Sequence, residues 1–183
     1  MTMKPIISAL ATCSLLALGA CGSETTEGVA PGEVSAQTLA TVIEGDADLS
    51  IVAGILEDSG LQAVFDGNAP YTVFAPTDEA FAELDLPLDD PDTAAARVAI
   101  LREHIVPGFL TMEDITAAID SAGGSVEMQT MGSNTLTFSG NVDELIIASS
   151  DGRQARVVDA GLSGANGTVF PIDALLKSID ARQ

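Results

Sequence analysis

The chain has 183 residues, with 27 Asp and Glu against seven Lys and Arg, a formal net charge of −20. Phosphate backbones need clustered basic charge, so nucleic acid is excluded as a partner, and direct electrostatic binding to anionic lipid is disfavoured. The acidity reads as a solvated surface and hints at a saline habitat, where repulsion is screened within about 10 Å or less.

Lys4 is the only charge among the first 23 residues, and Ile6 to Leu18 is apolar but too short to span a bilayer as a helix. A basic start, a short apolar run and small residues identify residues 1–20 as a secretory signal. Leu18-Gly19-Ala20-Cys21 resembles a bacterial lipobox, in which the thiol of Cys21 is lipidated and becomes the first mature residue. Gly22 stands where Asp marks inner-membrane retention in enteric bacteria. By that analogy the protein goes on to the outer membrane. Cys13 is lost with the signal, so the mature domain has no disulfide and no cysteine metal site. Residues 21–34 form a flexible tether rich in Ser, Thr, Glu, Gly and Pro, with a reach of ~20 Å as a coil. One domain then occupies residues 35–183.

Leu49, Ile51, Val52, Ile55 and Leu56 form an apolar helical stripe, capped by Asp48 or Ser50 and stopped by Gly60. Leu61 to Phe65 is a further short turn, ended by Asp66-Gly67-Asn68. Tyr71 to Ala75 reads as a buried strand of β-branched and aromatic residues. Pro76, with no N–H to donate, stops the ladder. Thr77 is a good N-cap for a helix in which Asp78 and Glu79 suit the positive N-terminus and Phe81 begins an apolar face. Residues 85–92 form an acidic loop. Thr93 to Ile105 is read as one helix, ended by Pro107-Gly108. Thr111 opens another through a capping box closed by Asp114, and Gly123-Gly124 ends it.

The period then changes. Val126 and Met128 alternate, as do Leu136 and Phe138; Leu145 to Ala148 and Val157-Val158 read as further short strands. Turn signals separate them at Gly132-Ser133-Asn134, Gly140-Asn141, Asp151-Gly152 and Asn166-Gly167. Helices first and short strands after argue an α+β fold.

Three segments carry a family resemblance. Tyr71 to Phe81 closely resembles the first signature of the fasciclin-like domain. His104-Ile105-Val106-Pro107-Gly108 is similar to a second, although Glu103 replaces the usual aromatic residue before the histidine. Asn166 to Leu176 resembles the closing signature, with Phe170 where histidine is frequent and Pro171 inside the strand. The resemblance implies a wedge-shaped β-sandwich with a layer of helices. It also implies an extracytoplasmic adhesion or interaction module rather than an enzyme, needing no cofactor. The Asp-Ile pair through which some members bind integrins is matched here by Gly161-Leu162, so that recognition does not carry over. Asp114-Ile115 is a chance pair at a helix start.

His104, the only histidine, lies on the flank of an apolar helix face. A lone histidine makes a poor zinc site. It is expected in the core, bonded to a backbone carbonyl or to Asp78, the alternative being a binding role for His104 with Thr77 and Asp78. Asp89, Asp90 and Asp92 are a weak calcium candidate, lacking the spacing and glycine of a calcium loop. Asn166-Gly167-Thr168 matches a glycosylation pattern that has no meaning in a bacterial host. No Gly-x-Ser-x-Gly elbow or phosphate-binding loop is found. The expected protein is a monomer, anchored in the cell envelope through Cys21, that binds a protein or polysaccharide partner. The alternative is a periplasmic ligand-binding or accessory protein facing inward.

Overall fold

The computed structural model describes residues 36–83 and 91–177. Cys21, the signal, the tether, Asp89 and Asp90 lie outside them. The helices are α1 (Leu39–Glu44), α2 (Ser50–Ser59), α3 (Gln62–Phe65), α4 (Asp78–Ala82), α5 (Ala94–Arg102) and α6 (Met112–Ala122). The strands are β1 (Tyr71–Pro76), β2 (Ile105–Pro107), β3 (Ser125–Gln129), β4 (Thr135–Asn141), β5 (Glu144–Ser149), β6 (Gln154–Arg156), β7 (Leu162–Gly164) and β8 (Gly167–Ile172). They form two four-stranded sheets, ordered β2-β1-β8-β7 and β3-β4-β5-β6. The α+β class, with two sheets under a helical layer, is the architecture the sequence implied.

The centre of the first sheet pairs β1 with β8 in parallel, Phe74 opposite Phe170 and Pro76 opposite Ile172. Both strands are covered on both faces, which is why they read as apolar runs without alternation. Val73, Ala75 and Val169 face a core built with α1 to α5. Phe74, Phe170 and Ile172 face a second core shared with α6 and with Phe138 and Ile147 of the other sheet. Phe74 lies 5.0 Å from Phe138 and 5.6 Å from Phe170, centroid to centroid. Phe74 and Phe81 are both buried, as expected.

The prolines of β1 and β8 sit at the margins of the strand pairing. The Phe74 N–H donates to His104 O and the Thr77 N–H to Ile172 O, so the nitrogen of Pro76 faces the side on which β2 has already ended. Pro171 O accepts from the Val158 N–H, on the side away from β1, and β7 pairs only with Gly167 to Val169. The nitrogen of Pro171 therefore faces the Val157–Val158 stretch beyond the end of β7, where pairing is limited to an isolated bridge and a missing donor is tolerated.

Thr77 caps α4, accepting the Ala80 N–H at 3.3 Å. Thr111 and Asp114 form the expected capping box on α6. Gly60 and Gly123 end α2 and α6 in the left-handed conformation, at φ 70° and 83°.

The structure corrects three readings. The helix begun at Thr93 ends at Arg102, and Ile105 to Pro107 is strand β2, because Ile105 finds a place opposite Val73 in the sheet. Val157-Val158 is not a strand: β6 ends at Arg156, and only Val157 makes an isolated bridge, to Ile172. The turn expected at Gly140-Asn141 falls on Val142-Asp143, since β4 runs on to Asn141.

Candidate functional site

The sequence nominated His104, Asp78 and Thr77, and in the structure His104 bonds to neither Asp78 nor Thr77, its two ring nitrogens being engaged by Ile100 and Leu176. His104 is fully buried. Its Nε2 accepts the Leu176 N–H at 2.9 Å, which leaves Nδ1 to carry the proton and donate to Ile100 O at 2.8 Å. The ring is thereby held neutral, in one tautomer, between a helix end and the segment after β8. Burial lowers its pKa to about 4, against the smaller opposing effects of the Ile100 carbonyl and the nearby Glu103 charge. Asp78 is not its partner. Instead Asp78 caps α2 from outside, accepting the Ile51 N–H at 2.9 Å and the Ser50 hydroxyl. This explains how α2 starts without a cap of its own at Leu49. All three nominated residues have roles in holding the fold.

Glu103, which replaces the aromatic residue of the second signature, is 5% exposed and fully engaged. Its carboxylate accepts the amides of Ser133 at 3.0 Å and Asn134 at 2.8 Å, and the hydroxyls of Ser133 and Thr130. Burial pushes this carboxyl up, but the amides and hydroxyls together outweigh burial and hold it below its usual value. Gly132 makes the close approach possible: a Cβ there would lie 2.3 Å from the carboxyl carbon. Lys177 Nζ lies 3.9 Å from Glu103 and 2.8 Å from Asp151. The charge is satisfied internally, so Glu103 is a structural anchor for the turn after β3.

Among the described residues, no cluster of three or more His, Cys, Asp or Glu is placed to hold a metal. Asp92 lies in the single turn Pro91–Thr93 ahead of α5. Among the described residues, no helix is long and apolar enough to cross a membrane.

A different feature stands open. A groove of about 630 Å³ lies where the two sheets part, within the usual size of a ligand site of roughly 300–1,000 Å³. One wall is the start of α6, with Met112 and Glu113; opposite it is the β4–β5 turn, with Val142 and Asp143. The stretch after β6 supplies Val158 and Asp159, and the floor is β7 and β8. Val142 and Val158, 59% and 54% exposed, are the exposed large hydrophobic residues among those described, and both are on this groove. Three carboxylates stand around it, and no Lys, Arg or His is among the described residues that line it.

Thr168 on the floor is 3% exposed, and its hydroxyl has no hydrogen-bond partner. Its register neighbours are Thr72 on β1 and Ser163 on β7. Thr72 is satisfied, donating to Gly108 O at 2.8 Å and accepting the Leu110 N–H at 3.0 Å. Sequence reasoning missed this groove. It took Val158 for a strand residue and Thr168 for part of the closing signature and of a glycosylation pattern, and only the fold gathers these segments.

The fold and the groove define a two-sheet α+β domain with an exposed recess between its sheets. A profile of the fasciclin domain matches residues 47–178, and the chain belongs to the fasciclin-domain family. The chain is 29% identical over 146 residues to Protein sll1483 of a Synechocystis species, covering 78% of this chain and 74% of that protein. It is 32% identical over 108 residues to Immunogenic protein MPB70 of Mycobacterium bovis, covering 58% of this chain and 49% of that one. Among solved structures it resembles a FAS1 domain pair from the insect cell adhesion molecule Fasciclin I, with a TM-score of 0.67 and 21% identity over 79% of this chain and 52% of the other. That likeness shows the fold. The family is of an adhesion type that is not enzymatic.

Proposed function

We propose that the protein is a non-catalytic, lipid-anchored adhesion or interaction module of the cell envelope that binds a protein or polysaccharide partner. The observation that carries this reading is the open groove, with two exposed valines, on a fasciclin-family domain. Exposed apolar side chains gathered at one recess are a mark of an interaction surface. The lipobox-like Leu18-Gly19-Ala20-Cys21 supports an anchor at Cys21, and the residues after it supply a tether. Binding is then reversible contact by a domain that the tether lets reach outward and that the anchor keeps at high local concentration.

The test is Cys21→Ala in intact cells fed a labelled fatty acid. The native chain takes up label, sediments with membranes and is cleaved when cells are treated with external protease; the variant does none of these. Label uptake by the variant refutes the anchor. Labelled native chain that resists protease until the envelope is opened favours the periplasmic, inward-facing alternative.

A further inference from the structure

We infer that the groove between α6, the β4–β5 turn and the 157–161 stretch takes an extended peptide segment of a protein partner, with apolar side chains flanked by Lys or Arg. The inference rests on the reading of the chain as a binding module and names the partner chemistry of that site.

Three features select this occupant. The walls offer apolar surface in Met112, Val142 and Val158. The charges around them, Glu113, Asp143 and Asp159, are all acidic, on a chain of net charge −20. A cationic partner gains from that field both in rate of encounter and in orientation, whereas acidic polysaccharides and anionic headgroups are repelled. The third feature is Thr168. A buried hydroxyl without a partner carries a desolvation cost that a ligand group can relieve. A peptide has a backbone N–H or C=O at every residue to offer it, beside side chains that suit the valines. A neutral glycan has less to hold it: Phe109, half-buried, and Phe170, buried, are the aromatic residues of the lining, and the chain has no Trp. The chain's own tether does not match either, since Glu24, Glu27 and Glu33 are its only charges.

Thr168 also makes the site recognisable by a compromise between stability and binding. Replacing it with valine removes the orphan hydroxyl and keeps the shape. The melting temperature of Thr168→Val is expected to stay level or rise while peptide affinity falls, an outcome that loss of fold does not produce.

The experiment uses the full chain in detergent micelles and fluorescence anisotropy with a labelled peptide of alternating valine and lysine. A peptide with glutamate for lysine and a neutral gluco-oligosaccharide serve as competitors. The lysine peptide is expected to bind saturably and to be released by salt, with the glutamate peptide at least about tenfold weaker. Asp143→Lys and Val158→Glu, both at exposed positions, are each expected to weaken binding by about tenfold or more and to leave the melting temperature unchanged. No saturable binding, equal binding of the two peptides, displacement by the oligosaccharide, or unaltered binding in both variants overturns the assignment. Self-association that Val158→Glu abolishes also overturns it, giving the groove to a second copy of the chain. Surface exposure and cell adhesion are read separately. Cells that adhere through a chain that binds no peptide keep the module reading and lose the groove assignment; peptide binding without any adhesive effect does the reverse.

Discussion

The backbone N–H of Leu176 donates to Nε2 of His104 at 2.9 Å, across 72 residues of sequence, and the ring hands its own proton to Ile100 O. A second proton on this ring would set a donor against the Leu176 donor inside a core. The folded pKa is accordingly about 4, below the ordinary 6.5. Between these values the unfolded chain binds a proton and the folded chain does not, so stability is fully present above pH 6.5 and is lost as pH falls toward 4. The total is about 3 kcal/mol. Denaturant titrations across this range are expected to show that slope in the native chain and to lose it in His104→Ala. The variant should also be less stable at neutral pH by about 1–3 kcal/mol, because the Leu176 amide is left unpaired. A variant with native stability and the native slope refutes this role.

Glu103 is held by the amides of Ser133 and Asn134 and by the hydroxyls of Ser133 and Thr130. Glu103→Gln puts an NH₂ group among those donors, and a loss of about 1–3 kcal/mol is expected. Gly132→Ala should be comparably damaging, since its Cβ occupies the carboxylate's place. The folded pKa lies below 4.5, so this contribution is present above that value and is lost as pH falls through the folded one. Urea midpoints at neutral and acid pH check this. A Gln variant that matches the native chain at neutral pH and differs only in acid would contradict it.

Asp78 caps α2 through Ile51, while both ring nitrogens of His104 are bonded elsewhere, to Ile100 and Leu176. Asp78→Ala is expected to cost about 1 kcal/mol, the usual loss for a helix cap. In a double-mutant cycle with His104→Ala the two losses should add, as they do for separated sites. A coupling well beyond measurement error would restore the direct pairing that the sequence suggested.

Phe74 stacks on Phe170 and meets Phe138 across the gap between the sheets. Phe74→Ala is expected to cost about 3–5 kcal/mol, in the range for a large aromatic truncated in a core. Thermal melting decides, and a shift of only a degree or two would place Phe74 outside the core that joins the two sheets.

Local chemistry was legible in the sequence. Thr77, the Thr111–Asp114 box, Gly60 and Gly123 act within a turn or two of themselves, so their signals are complete in a few residues. The buried run of β1 was legible for a similar reason, since a strand covered on both faces shows no polar alternation, whereas β8 was legible through its likeness to the closing signature. What depended on partners far along the chain was not. Ile105 continues a helical spacing, and only its place opposite Val73 makes it a strand residue. The burial of His104 could be read from its apolar neighbours, but its partner Leu176 could not. Glu103 appeared as a missing aromatic residue, because the donors that satisfy it come from a turn about thirty positions away. The groove was least legible: β7, β8, α6, the β4–β5 turn and the stretch after β6 each supply part of it.

The parallel pairing of β1 with β8 has a consequence for how the chain is made. Residues 71–76 emerge early from the ribosome and must wait for residues 167–172 before the first sheet has its centre. Phe170 and Ile172 belong to one core, and Val169 and Leu175 to the other. A polypeptide that stops before Gly167 therefore lacks a piece of both and exposes apolar surface on each. Such products would be recognised as unfolded and degraded, leaving no half-active fragments. Completion is all or nothing, decided when residues 167–176 take their places in the sheet and in both cores.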